Sequence, residues 1–244
     1  MTRFAKESRV IFDLGMNNGD DTDYYLRRGF YVVALEANPS LCEAAEKRFR
    51  KAIADESLKI LNAAIWDSVG EATFYLNLDN DHWSSLDVGW ARRHQSRVRE
   101  ILVKCVTLAN LFEKYGVPIY LKIDVEGVDQ NILQQLLGKG SLPLYVSVED
   151  CRFGFEFIET LAACGYDGFK LLDQSTVPAM ADPANGHSFP PGSSGPFGSD
   201  LPGSWLSHSE IVTLYSTTVR DLAGNRLAPR TRWWDIHCTH LASA

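Results

Sequence analysis

Short apolar runs alternate with helical patterns through the first half of this chain, an order that few folds besides helices wrapped on a mostly parallel sheet can satisfy. Val10–Leu14 is an apolar strand broken at Gly15, and the helix predicted from Asp21 to Arg28 ends on Gly29. Tyr31–Leu35 is the next strand. Asn38-Pro39 then reads as an N-cap with proline at the first helical position, opening a helix over Ser40–Ile53. Further strands are predicted at Leu58–Ile65, Ala72–Leu78, Leu102–Val106, Ile119–Asp124, Leu144–Val148, Gly168–Leu172 and Trp234–His240. Helices are predicted at Leu108–Lys114, Val128–Leu137 and Glu156–Cys164.

The 244 residues suit one large domain, and the 45% of hydrophobic residues are ample for its core. The segment 175–207 differs in composition from the rest. It holds Pro178, Pro183, Pro190, Pro191, Pro196 and Pro202, together with five glycines. A stretch that long inside a domain 1–244 is expected to be a lid or acceptor-covering insertion, anchored by Phe189, Phe197 and Trp205. Asp79–Trp90 is a second candidate covering loop. The net charge of −7 argues against a nucleic-acid partner, which needs a cationic footprint. The local cluster Arg92, Arg93, Arg97 and Arg99 reads as a solvated helix face. Five widely spaced cysteines without a C-x-x-C pair fit a reducing compartment. With no signal-peptide core before Arg9 and no apolar run near membrane length, the expectation is a cytoplasmic protein.

Three segments carry chemistry. Asp13-Leu-Gly15-Met-Asn17-Asn-Gly19 closes the first strand, where an open α/β sheet binds its ligand and where glycines let backbone approach it. Asp13 there can accept hydrogen bonds from an ammonium group or from neighbouring amides. Glu36 ends the second strand, and a carboxylate at that point can accept both hydroxyls of an adenosine ribose. Leu121-Lys-Ile-Asp124-Val-Glu126-Gly127 puts two acids where a buried strand gives way to a helix. Helix capping explains one such acid better than a pair. Lys122, inside the strand, is read as snorkelling or paired.

Together these segments resemble the FkbM family of S-adenosylmethionine-dependent methyltransferases. Its D-x-G-x-N-x-G loop, its acid followed by x-N-P and its K-I-D-V-E-G signature stand here as Asp13–Gly19, Glu36-Ala37-Asn38-Pro39 and Lys122–Gly127. Ala37 replaces a proline usual in the family. Asn62–Asp67 and Ser84-Ser85-Leu86 are weaker matches, and the likeness runs from about Val10 to Leu172. The resemblance implies an α/β fold: a doubly wound, mostly parallel seven-stranded sheet of the class I methyltransferase, Rossmann-like kind. It implies S-adenosylmethionine as cofactor. Asp13, Gly15, Asn17 and Gly19 would hold its methionine part, Glu36 with Ala37 and Asn38 its ribose, and Ala64 to Asp67 would border its adenine. Asp124 would lie near the sulfonium. It implies O-methyl transfer to a hydroxyl of a sugar or secondary metabolite, hence a small-molecule or glycoconjugate acceptor.

A hydroxyl acceptor must lose a proton during attack, so a positioned base is needed. An acid of the Asp124/Glu126 pair is the first candidate and His82 the second, with Glu149 also near the strand ends. Clustered carboxylates also suit Mg²⁺, but no ligand spacing demands it and no metal is assigned. A nicotinamide-dependent oxidoreductase is the main alternative. It needs G-x-G-x-x-G and a pyrophosphate at the helix start, where this chain has Asp20-Asp21. A non-catalytic nucleoside- or partner-binding module is the third reading. Whether the chain forms a homo-oligomer is open.

Overall fold

The computed structural model describes residues 3–182 and 186–244, so Pro183 of the proline-rich segment lies outside the described residues. The first half contains β1 (Val10–Leu14), α1 (Asp20–Arg27), β2 (Tyr31–Glu36), α2 (Pro39–Arg48), α3 (Arg50–Ala54), β3 (Leu58–Asn62), β4 (Ala64–Ile65), β5 (Gly70–Asn77), α4 (Val88–Ala91), β6 (Val98–Val106) and α5 (Leu108–Tyr115). The second half contains β7 (Tyr120–Ile123), α6 (Asp129–Gln134), β8 (Tyr145–Glu149), α7 (Gly154–Cys164), β9 (Gly168–Asp173), α8 (His208–Thr218) and β10 (Trp234–Thr239).

Seven strands form the main sheet in the order β3-β2-β1-β7-β8-β10-β9. β1, β2, β3, β7 and β8 are parallel, whereas β10 runs antiparallel to both β8 and β9. The strand period of two divides the side chains between two cores. Phe12, Leu14, Val33, Leu35, Leu121 and Ile123 pack with residues of α5, α6, α7 and α8. Their neighbours Ile11, Val32, Ala34 and Tyr120 pack on the opposite face with Tyr24 and Tyr25 of α1 and Ala45 of α2. The sheet is therefore doubly wound, and its ligand-binding edge is the carboxyl end of β1, β2 and β7.

Several predicted elements differ from those observed. The helix predicted over Ser40–Ile53 breaks at Phe49, whose φ of −104° and ψ of 23° turn the buried ring under Gly19. Leu58–Ile65 is two strands in two sheets. Asn62 Nδ2 donates to the carbonyls of Glu36 and Ala37, and the chain then leaves β2 to pair β4 with β6. β6 starts earlier than predicted and joins β4 and β5 in a three-stranded sheet. Arg97 and Arg99 lie next to and within that sheet, so the arginine cluster is no helix face. The unpredicted α8 opens on a capping box, with the Ser207 side chain and Glu210 bonded reciprocally to each other's backbone. All five cysteines are buried and free. Among the described residues no helix is long and apolar enough to cross a membrane.

The described part of 175–207 lies on the sheet face shared with α1. Val177, Phe189, Phe197 and Leu201 join that core. Phe197 stacks on Tyr120 with ring centroids 4.2 Å apart, and Trp205 stacks at longer range on Tyr145. Arg28 of α1 pairs with both Asp182 and Asp200. Phe197→Ala removes a ring that is 6% exposed and leaves its cavity between Tyr120 and Tyr25. We expect a loss of about 3–5 kcal/mol in denaturant unfolding, the usual cost of truncating a core aromatic.

Candidate active site

The turn after β1 lies against the end of β7. The amides of Gly15 and Met16 both donate to the Leu35 carbonyl, and the Asp124 amide donates to the Leu14 carbonyl. Gly15 has φ +83°, and a Cβ on it would fall 1.8 Å from the Asp124 carbonyl oxygen. Only glycine fits there, both in conformation and in space. Gly19, at φ +83°, starts α1, and a Cβ on it would fall 2.5 Å from the Phe49 ring. Asn17 adopts the left-handed conformation at φ 49°, which turns its amide toward Glu36.

Glu36 forms the floor of an open cleft of about 630 Å³, measured with the solvent at its mouth. Its Oε2 accepts the Asn17 amide at 2.9 Å, and its Oε1 accepts the Asn38 amide at 2.8 Å. Each carboxylate oxygen has two acceptor positions, so each keeps one for a ligand. Burial pushes the Glu36 carboxyl up to about 7, against the pull of the Asn38, Asn17 and Ala37 amides. Leu35, Ala37, Ala63, Ala64, Ile65, Phe74 and Leu86 make one apolar end of the cleft, while Asp81, His82, Asp124 and Glu126 line the polar part.

Glu126 is held in the left-handed conformation at φ 58°. Its Oε2 accepts from Trp90 Nε1 and from Arg93 Nη2, each at 2.7 Å. Arg93, read from sequence as solvated, is thus a partner of this acid. Burial and then the charge of Asp124 push the Glu126 carboxyl up to about 8, with Arg93 pulling the other way. Neither Asp124 nor Glu126 caps the following helix. Asp129 holds the turn instead, accepting the amides of Val125 and Gly127 at 2.9 and 2.8 Å.

Beneath the cleft a buried lysine binds three strand and helix ends together. Lys122 Nζ lies 3.5 Å from Asp13, 3.5 Å from Asp21 and 3.3 Å from Asp124. Burial works against its ammonium, but Asp124, Asp13 and Asp21 outweigh that and hold its pKa well above the ordinary lysine value. Asp13 also accepts the Thr22 hydroxyl at 2.6 Å. Asp21, whose carboxyl burial pushes up to about 6 with Lys122 opposing, accepts the Ser194 amide at 2.8 Å.

Of the residues singled out in the sequence, Gly15, Asn17, Glu36, Ala37, Ala64, His82, Asp124 and Glu126 line this one cleft. Asp13 and Gly19 lie behind it, in the lysine network and against Phe49. Asn38 contributes its amide to Glu36 and its side chain to the Ser40 amide, at the start of α2. Asp67 is exposed and accepts from Asn131 Nδ2. The Asp79–Trp90 loop supplies Asp81, His82, Ser84 and Leu86 to the cleft, and no described residue of 175–207 lines it. Asp129 and the parts played by Asp21, Trp90 and Arg93 were not read from sequence. Their only signal is charged or aromatic character at positions far from each other along the chain.

The methyltransferase FkbM domain model matches residues 13–168, which includes the glycine loop, Glu36 and the Lys122–Gly127 signature. The chain belongs to the FkbM methyltransferase family. The methyltransferase FkbM of Methylobacillus flagellatus KT is 12% identical with a TM-score of 0.43, over 70% of this chain and 41% of that one. The precorrin-6y C5,15-methyltransferase of Geobacter metallireducens GS-15 is 10% identical with a TM-score of 0.39, over 94% and 78%. This FkbM-family chain thus spans less than half the length of the Methylobacillus protein. No curated protein matches it.

Lys122→Met leaves three carboxylates without their buried cation, and such a break costs about 3–5 kcal/mol. We expect that loss in urea unfolding near pH 8. The folded pKa of Asp21, about 6, is above its ordinary value of 3.8, so this group loses stability for the fold as pH rises from 3.8 through 6. Without Lys122 that pKa rises further. The deficit of the variant is therefore smaller at pH 5 than at pH 8.

Proposed function

We propose that this chain transfers a methyl group from S-adenosylmethionine to a hydroxyl of a small-molecule or glycoconjugate acceptor. The observation that carries the reading is Glu36, whose two oxygens each keep a free acceptor position at the floor of the cleft. A vicinal ribose diol is the partner that such a carboxylate suits. The slot of Ala63, Ala64, Ile65, Phe74 and Leu86 beside it is apolar and suits a flat base. Gly15 and Asn17 of the glycine turn also line the cleft, where a methionine tail would lie.

When bound, the cofactor supplies a methyl group on a sulfonium, an electrophile that needs no further activation. The protein's part is then to align the acceptor and to take its proton. Asp124 and Glu126 line the polar end of the cleft, and an acid of this pair is the base we favour. Asp124 is 33% exposed at its side chain and ion-paired with Lys122. His82, half exposed in the covering loop, is the second candidate.

A nicotinamide dinucleotide fits less well. The first turn of α1 carries Asp20, Asp21 and Asp23, which would repel a pyrophosphate at that helix start. A methionine tail, with its ammonium group, tolerates them.

Calorimetry tests the reading. We expect micromolar binding of S-adenosylmethionine and S-adenosylhomocysteine, no binding of NADH or NADPH, and a loss of about tenfold or more in Glu36→Ala, as removal of a charge-assisted bond implies. No binding of the sulfur nucleosides to folded protein would overturn it. Asp124→Asn with full turnover would remove Asp124 from an essential role.

A further inference from the structure

Three carboxylates that are distant in sequence converge at the carboxyl edge of the sheet. Ligand oxygens of Asp124, Glu126 and Glu149 all lie within 4.8 Å of one another; all three residues are partly buried, and Asp124 and Glu126 line the cleft. A fourth acid stands beside them. Asp235 of β10 is directly opposite Glu149 of β8 in the antiparallel register, so the two side chains share one face of the sheet. That face is the one that carries Lys122, since His237, two residues along β10, pairs with Ser147, which pairs with Lys122.

Asp235 is 5% exposed, and among the described residues no side-chain hydrogen bond or ion pair reaches its carboxylate. The Glu149 carboxylate makes none either. Like charges directly opposite in a sheet repel, and a buried unpaired carboxylate is among the costliest groups a fold can keep. The cations at hand are committed elsewhere. Arg93 takes Glu126 Oε2, leaving Oε1, and Lys122 is shared among Asp13, Asp21 and Asp124.

We propose that Asp124, Glu126 and Glu149 bind a hard divalent cation at the polar end of the cleft, with Asp235 as the buried carboxylate behind them. An all-oxygen, all-anionic set selects Mg²⁺, Mn²⁺ or Ca²⁺ over softer metals. One ligand oxygen from each of the three residues lies within 4.8 Å of the other two, so the three can converge on a single ion. With Asp124 and Glu126 engaged by the ion, a hydroxyl acceptor bound to its open side would be acidified by it and would pass its proton to His82, which also lines the cleft. The binding itself needs no bound nucleoside, so it stands or falls separately from the methyl-transfer reading.

The test is titration of the full chain with Mn²⁺ in the absence of any nucleoside, followed by electron paramagnetic resonance and calorimetry. We expect a single tight Mn²⁺, displaced by Mg²⁺ or Ca²⁺. Glu149→Gln and Asp235→Asn should each weaken it by about ten- to a hundredfold. Both variants remove a repelling charge, and circular dichroism should show them folded. Glu43→Gln, on the exposed side of α2, should leave it unchanged. Folded wild type that binds no Mn²⁺ overturns the proposal. So does binding that survives both substitutions or falls equally in Glu43→Gln. S-adenosylhomocysteine binding measured on the same samples separates this failure from failure of the cofactor reading.

Discussion

The carbonyl of Asp124 occupies the position where a side chain on residue 15 would have to go, and the site depends on that contact. Because residue 15 is glycine, the turn after β1 can lie flat on the end of β7. The same turn gives two amides to Leu35 at the end of β2, so three strand ends are joined within one short loop. Glu36 follows directly on one side and Asp124 on the other. The Glu36 floor and the acidic end of the cleft are therefore set at a fixed separation by backbone, not by flexible side chains. Catalytic alignment that must hold to fractions of an ångström is best built this way.

Below that loop, charge is kept in the interior at a cost that only mutual pairing offsets. Lys122 is almost fully buried, and it is tolerated because three carboxylates surround it. Asp13 and Asp21 thereby tie β1 and α1 to β7, and the Ser194 amide extends the network into the proline-rich segment. That segment packs by Phe189 and Phe197 on sheet surface between α1 and the far strands, so its glycines and prolines shape a covering of aromatic contacts without any regular element over most of its length.

What could be read from the sequence was what depends on neighbours in the chain. Strand ends, the glycine loop and Glu36 follow from a local run of apolar residues that stops at a polar one, and they are found where expected. The Phe49 break was invisible because it answers to Gly19, thirty residues earlier. Leu58–Ile65 reads as one apolar run, yet it serves two sheets, since Asn62 fastens the point where the chain departs. Arg93 looked solvated because its partner, Glu126, lies more than thirty residues away. Asp235 carried no signal at all: its meaning comes from strand register with Glu149, which no local pattern encodes. α8 did have a signal, the Ser207–Glu210 capping box, and a proline-rich approach obscured it.

The most direct measurement is a crystal structure of the chain with S-adenosylhomocysteine. The account predicts both ribose hydroxyls within about 3 Å of the two Glu36 oxygens. It also predicts the base against Ala64 and Phe74 and the sulfur directed toward Asp124. A nucleoside bound elsewhere, or one in this cleft whose ribose leaves Glu36 to solvent, would contradict it.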